Sequence, residues 1–184
     1  QLADTTMPCL KGKISANYRD VLHNGCDRMG ARTMIQLDSF DRAILAILQD
    51  DAALSFAELG RRVNLSASAA LRRVQRLRET GAIIATRAIA DPEKLGCPLV
   101  IIVEIALQNE QAPALEGTKQ ALVADPFVQQ CYYVTGEADL FVVLMVPAMA
   151  EFKAFMARHL TDNPHIKRFK TTVVLDRIKV ATAY

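Results

Sequence analysis

The sequence predicts an α+β protein in two parts, an all-helical amino-terminal module followed by a βαββαβ domain, and three observations carry the prediction. Residues 55–81, SFAELGRRVNLSASAALRRVQRLRETG, hold two short helical patterns separated by a tight turn. From Leu99 onward the pattern changes to apolar runs rich in β-branched residues, alternating with helical spacings. Between the two, residues 91–98 open with Asp91-Pro92 and close with Pro98, a linker that continues neither pattern.

Composition sets the bounds. A chain of 184 residues with 51% hydrophobic residues is long and apolar enough to bury a core, and its net charge of only +2 does not by itself announce a nucleic-acid partner. Clustering is more informative: Arg72, Arg73, Arg76 and Arg78 stand close together while acidic residues are scattered. No apolar run approaches the roughly 20 residues that span a bilayer, so no membrane partner is expected. Cys9, Cys26, Cys97 and Cys131 form no CxxC pair and have no histidine at ligand spacing. Neither metal nor cofactor is expected, and the thiols read as reduced ones in a cytoplasm, with Cys131 packed in an apolar strand.

Gln1 to Thr33 shows neither helical nor strand periodicity and reads as an unstructured extension or a mis-set start, with the folded protein beginning near Met34. Asp38 or Ser39 then caps a helix whose Phe40, Ile44, Ile47 and Leu48 share one stripe, ending at Gln49 to Ala52. Ser55 caps the next helix, and Glu58 three residues later completes the pattern of a capping box. Asn64-Leu65-Ser66 is too short for anything but a turn; Ser66 opens the following helix and Gly81 suits the left-handed residue that closes it.

In that last helix Ala70, Leu71, Val74 and Leu77 gather on one side and Ser68, Arg72, Arg73 and Arg76 on the other. One face packs, with Phe56, Leu59 and Val63 of the preceding helix, and the other is basic. This is a helix-turn-helix, whose second helix lies in the major groove of double-stranded DNA. The competing reading is a solvated arginine-rich face on an ordinary packed helix. Ile83 to Ile89 is strand-like, a wing or linker strand completing a winged module over 34–90.

The second part runs as a strand at Leu99–Leu107, a helix at Ala114–Val123, a strand at Val128–Val134, a turn at Gly136–Asp139 and a strand at Leu140–Val146. A helix at Met149–Leu160 and a long final strand at Ile166–Val180 complete it. That order is the ferredoxin-like split βαβ, with both helices on one sheet face. The other face is left for a partner, so at least a homodimer is expected. Tyr132 and Tyr133 fall on opposite faces, and His23, His159 and His165 lie in separate segments with no nucleophile beside them. No catalytic set is present, and the chain does not read as an enzyme.

Arginine reaches both O6 and N7 of guanine, which makes Arg72 and Arg76 the candidates for reading bases. Ser66 and Ser68 at the helix start, with Arg73, suit phosphate contacts, and Arg61 and Arg62 on the preceding helix suit the same role. A dimer would present two such helices to a roughly palindromic site.

Four motifs in order then resemble one family. They are Leu37-Asp38-x-x-Asp41-Arg42-x-Ile44-Leu45, Leu59-x-x-Arg62-Val63-x-Leu65-Ser66, Arg73-Val74-x-Arg76-Leu77-x-x-x-Gly81-Ala82-Ile83 and Val134-Thr135-Gly136-Glu137-Ala138-Asp139. Each alone is weak, but across Leu37 to Lys179 they resemble the leucine-responsive and asparagine-responsive regulators, the Lrp/AsnC transcription factors. The resemblance implies a DNA-binding regulator, a dimer that assembles further toward an octamer, and an amino acid or related effector held at an interface of the second domains. It places the effector at Tyr133, Val134, Thr135, Gly136, Glu137, Ala138 and Asp139, with Thr171, Thr172 and Val173 as neighbours. There Asp139 or Glu137 would pair with an ammonium, and backbone N–H groups around Gly136 would take a carboxylate. Without the resemblance the same residues read as a plain hairpin turn. Two departures from the family pattern stand out: Ala67 where proline often follows the serine, and Glu137 where aspartate is usual. The alternative function is an architectural DNA-binding protein with no small ligand.

Overall fold

The computed structural model describes residues 35–108 and 112–180, and Gln1–Thr33, the expected extension, lies outside them. Of the described residues, those from Ile35 to Ile89 form a helical unit and Ala90–Ile178 a sheet unit. The helical unit contains α1 (Ser39–Asp50), α2 (Phe56–Arg62) and α3 (Ala67–Glu79). Asp38 caps α1: its carboxylate accepts the Asp41 N–H at 2.8 Å, and the Asp41 carboxylate accepts the Asp38 N–H at 3.2 Å, a reciprocal box. The box expected at Ser55 is only half formed. Ser55 accepts the Glu58 N–H at 3.2 Å, but the Glu58 carboxylate turns to Arg61 and Arg62 at 2.7 and 2.9 Å. Two guanidinium groups one turn away are stronger partners for a carboxylate than one backbone N–H.

The turn from α2 to α3 is held by the Leu65 N–H donating to the Gly60 carbonyl at 2.8 Å, with Asn64 left-handed at φ 56°. Gly60, which sequence reasoning passed over, is what allows the approach. A Cβ there would lie 2.6 Å from the Leu65 carbonyl oxygen. Ile44, Leu59, Val63, Ala70, Val74 and Leu77 make the buried core, with Ile47 and Leu48 packed against it. Phe40, expected in that stripe, is instead 40% exposed, and the Arg73 guanidinium carbon lies 5.2 Å from its ring centroid. Gly81 ends α3 at φ 75°, as its position predicts. The expected wing is absent: no strand forms over 83–89, and Ile84 and Ile89 are exposed. A strand needs a partner's backbone, and all four strands described here pair among themselves.

The sheet unit is β1 (Leu99–Leu107), α4 (Ala112–Ala124), β2 (Val128–Tyr133), β3 (Leu140–Val146), α5 (Met149–Met156) widening into a π-helical turn (Ala157–Thr161), and β4 (Ile166–Val173). The sheet is antiparallel throughout, in the order β2-β3-β1-β4 expected of a βαββαβ fold. One face packs Ile101, Val103, Ile105, Leu140, Val142 and Leu144 against Leu115 and Leu122 of α4 and Phe152 and Phe155 of α5. On the opposite face Ile102, Phe141, Val143 and Met145 are only half buried. The last strand stops at Val173 rather than running to Val180. Val174 still donates to the Val100 carbonyl at 2.9 Å, but β1 begins at Leu99 and offers nothing further, so Leu175 and Ile178 are exposed.

Candidate DNA-binding and effector sites

The basic face of α3 starts from its cap. The Ser66 hydroxyl accepts the Ala69 N–H at 3.2 Å and lies 3.2 Å from the Ser68 hydroxyl. One and a half turns on, Arg72 is exposed and has no carboxylate partner among the described residues. Its neighbours differ. Arg73 Nη1 donates to Asp38 at 2.7 Å and to Asp41 at 2.9 Å, and Arg76 Nη2 donates to the other oxygen of Asp41. The Asp41 side chain is fully buried, Arg73 is 28% exposed and Arg76 is 50% exposed. The Asp41 N–H, and then Arg73, hold the Asp38 carboxyl below its usual range. Bonds to Asp38 and Asp41 hold the Arg73 guanidinium more firmly protonated. Arg61 and Arg62 share Glu58, whose carboxyl they likewise hold low.

The seven expected DNA-facing residues thus divide by partner. Arg72 and Ser68 are exposed; Arg61 and Arg62 are exposed but salt-bridged to each other's common carboxylate; Ser66 spends its oxygen on the cap; Arg73 and Arg76 are tied to α1. An open groove runs beside Leu65, Ala69, Arg72, Arg73 and Arg76. Sequence reasoning gave Asp38 a capping role and Asp41 only a place in a motif, and paired neither with an arginine. A signal was present, since carboxylates spaced i, i+3 on one helix match arginines spaced i, i+3 on another.

In the turn expected to hold the effector, the two acids differ. Asp139 is committed to the sheet: its carboxylate accepts the Leu107 N–H at 2.7 Å, its N–H donates to the Ile105 carbonyl at 2.8 Å, and its carbonyl accepts the Val134 N–H at 2.9 Å. The Glu137 side chain is 94% exposed, with a long contact of 3.4 Å to Arg168, which also donates to the Glu137 carbonyl at 3.3 Å. Gly136, at φ 133°, lies in a region that side chains avoid, while Thr135 is exposed and Ala138 buried. Tyr133, Leu140, Ile105 and Phe169 form one row across the sheet, so Tyr133 and the β4 edge are about 14 Å apart. Thr171, Thr172 and Val173 pair with Val103, Ile102 and Ile101, further along β4 from the turn. One protomer therefore does not bring them to Gly136–Asp139. The β4 residue that does reach the turn is Arg168, beside a pocket of about 120 Å³ also lined by Glu104, Glu137 and Lys170.

Other polar groups have structural work. Buried Asp125 accepts from Arg158 and His159 through one oxygen, at 2.8 and 2.9 Å, and from the Phe127 N–H through the other. Cys97 and Cys131 are free thiols, and burial pushes that of Cys131 up. Among the described residues no three His, Cys, Asp or Glu side chains gather at metal-binding distance, and no helix is long and apolar enough to cross a membrane.

The AsnC-type helix-turn-helix domain matches residues 37–78 and the Lrp/AsnC ligand binding domain matches residues 100–184. An uncharacterized HTH-type transcriptional regulator of Sinorhizobium fredii is 37% identical over 81% of this chain and 88% of its own. The leucine-responsive regulatory protein of Haemophilus influenzae is 34% identical over 78% and 86%. Among solved structures, a transcriptional regulator of Neisseria meningitidis in complex with L-methionine superposes with a TM-score of 0.76 at 28% identity, over 81% of this chain and 96% of the other.

Proposed function

The chain belongs to the Lrp/AsnC family of DNA-binding transcriptional regulators, and from that premise we propose that it reads operator DNA as a homodimer whose occupancy is tuned by an amino acid. The single observation that carries the DNA reading is α3: capped by Ser66, packed through Ala70, Val74 and Leu77, and basic on its open side. Arg72 reads a base edge; Ser66, Ser68 and Arg73 lie against the phosphates nearest the helix start; Arg61 and Arg62 flank them. The half-covered sheet face supports pairing of two protomers, with assembly to an octamer as the further step. The regulator works in the cytoplasm, beside its DNA and where the free thiols of Cys97 and Cys131 stay reduced.

The methionine bound by the Neisseria relative supports an amino acid as effector. Its seat is the turn Tyr133–Asp139 at an interface, with Thr171, Thr172 and Val173 contributed from a second protomer. Because Asp139 is occupied by Leu107, Glu137 is the better partner for the ammonium, while N–H groups about Gly136 receive the carboxylate. The test is a thermal-shift screen of the full chain against the common amino acids, followed by band shifts on operator DNA with each hit. A ligand at about 100 times its Kd adds roughly 2.7 kcal/mol, and the midpoint rises accordingly. A screen without hits, together with DNA binding that is broad and steeply salt-dependent, would instead identify a ligand-independent architectural protein.

A further inference from the structure

Asp41 is a carboxylate in an unusual position for a capping residue. The third residue of a helix ordinarily keeps its side chain in water, yet this one is fully buried, and both of its oxygens are engaged by arginines of α3. Burying a charge is unfavourable unless it is paired, so the two guanidinium groups make the position tenable. They do so unequally. Arg73 is the more buried of the two, at 28% exposed; its Nη1 is shared between Asp38 and Asp41, and its guanidinium lies over the Phe40 ring. Arg76 is half exposed and bonds Asp41 through Nη2 alone, so its Nε and Nη1 are not committed to that carboxylate, and the residue lines the groove that it shares with Arg72 and Ala69.

We propose that Asp41 is a positioning residue for sequence recognition: it anchors one corner of the Arg76 guanidinium so that the remaining edge is presented to a base pair. The inference rests on the reading that α3 lies in the major groove. A free arginine surrenders its rotamer freedom when it docks, whereas one fixed by a buried carboxylate has less to lose and arrives in one orientation. The same arrangement removes charge from the interface. Asp38 and Asp41 balance Arg73 and Arg76, so this group of four adds nothing to the net charge that attracts DNA of any sequence. Asp41 therefore raises discrimination and lowers non-specific affinity together.

That pair of opposed effects separates positioning from mere support of the fold. The native full chain first selects an operator duplex from random-sequence DNA. Native, Asp41→Asn, Arg76→Ala, Arg76→Lys and Asp41→Asn/Arg76→Ala chains are then compared for the ratio of operator to scrambled-duplex affinity, a ratio independent of the fraction folded. Asp41→Asn should lower the ratio about tenfold or more, at the base pairs altered by Arg76→Ala, while scrambled-duplex binding strengthens and its salt slope steepens by about one. In the Arg76→Ala background it should lower the ratio no further. An unchanged ratio, or an equal loss in both backgrounds, overturns the proposal. Should Asp41→Asn fail to fold, Arg76→Lys decides: it keeps the charge on Asp41 but lacks the planar fork, so loss of the same preference supports the proposal and retention overturns it. If Arg72→Ala abolishes preference and Arg76→Ala does not, only this inference falls; if the native chain selects no duplex, the groove reading falls with it.

Discussion

Gly60 and the acid-base pairs of the helical unit set what single substitutions will do. Gly60→Ala places a methyl group against the Leu65 carbonyl at 2.6 Å, and the turn must shift to admit it. We expect a loss of about 1–3 kcal/mol, read as a lower melting midpoint; an unchanged midpoint would mean that the turn is looser than the geometry implies. Asp38 and Glu58 are both held below their ordinary pKa values, the first chiefly by the Asp41 N–H and the second by Arg61 and Arg62. A depressed carboxyl contributes stability that is present above its unfolded value and disappears as pH falls through the folded one. The helical unit should therefore weaken below about pH 4, less so in an Asp38→Asn/Glu58→Gln chain. Carbon-detected titration of the two carboxyls checks the premise, and midpoints at the free values of about 3.9 and 4.3 would contradict it. At this scale the caps at Ser55 and Ser66 were legible because hydroxyl chemistry is local. Phe40 was not, since periodicity places it on the apolar stripe and only tertiary structure supplies the arginine above it. Gly60 carried no local mark either, because the atom it makes room for belongs to the next turn.

Whole elements depend on pairing, and there the reading from pattern ran long. Strand β4 and the supposed wing share the β-branched composition of strands, but backbone partners, not composition, decide where a strand ends. The core strands β1 and β3 were bounded correctly because each has neighbours along its length. Asp139 shows how a side chain can extend that pairing. It supplies an acceptor to Leu107 where the bulge near the end of β1 shifts the ladder. Asp139→Ala should cost about 1–3 kcal/mol and speed hydrogen exchange at the Leu107 amide, whereas Asp139→Asn keeps an acceptor and should do less. Equal exchange in all three chains would show that the bond is dispensable. The Asp125 clasp is the helical counterpart, joining the end of α4 to the π-helical turn after α5. Its residues lie over 30 positions apart, which is why neither the pairing nor the widened turn could be seen in a local pattern.

For the whole molecule, the half-buried sheet face is where the proposed pairing of protomers is tested. Val143→Glu places a charge at the middle of the face formed by Ile102, Phe141 and Met145, away from the core. Sedimentation of that variant should report monomer mass with an unchanged circular dichroism spectrum, while an intact dimer would show that protomers meet elsewhere. The fold class and the order of elements were open to sequence reasoning because each βαββαβ segment has its own periodicity. The proposed effector set was less open to it, because which of its residues meet depends on sheet order, and in one protomer Thr171, Thr172 and Val173 lie along β4 away from Gly136–Asp139. That sheet order also fixes a timetable. Central strand β1 is flanked by β3 and β4, and its pairing of Ile101 with Val173 spans roughly 70 residues. At about 5–20 residues per second a ribosome needs roughly 4–14 s to make up that interval. For those seconds the helical unit, all of whose described residues have already been made, is free to fold, while LVIIVEIAL waits with an open edge. The half of the molecule that meets DNA is thus ready first, and the interval before β4 emerges is when a nascent chain is most exposed to aggregation and most in need of a chaperone.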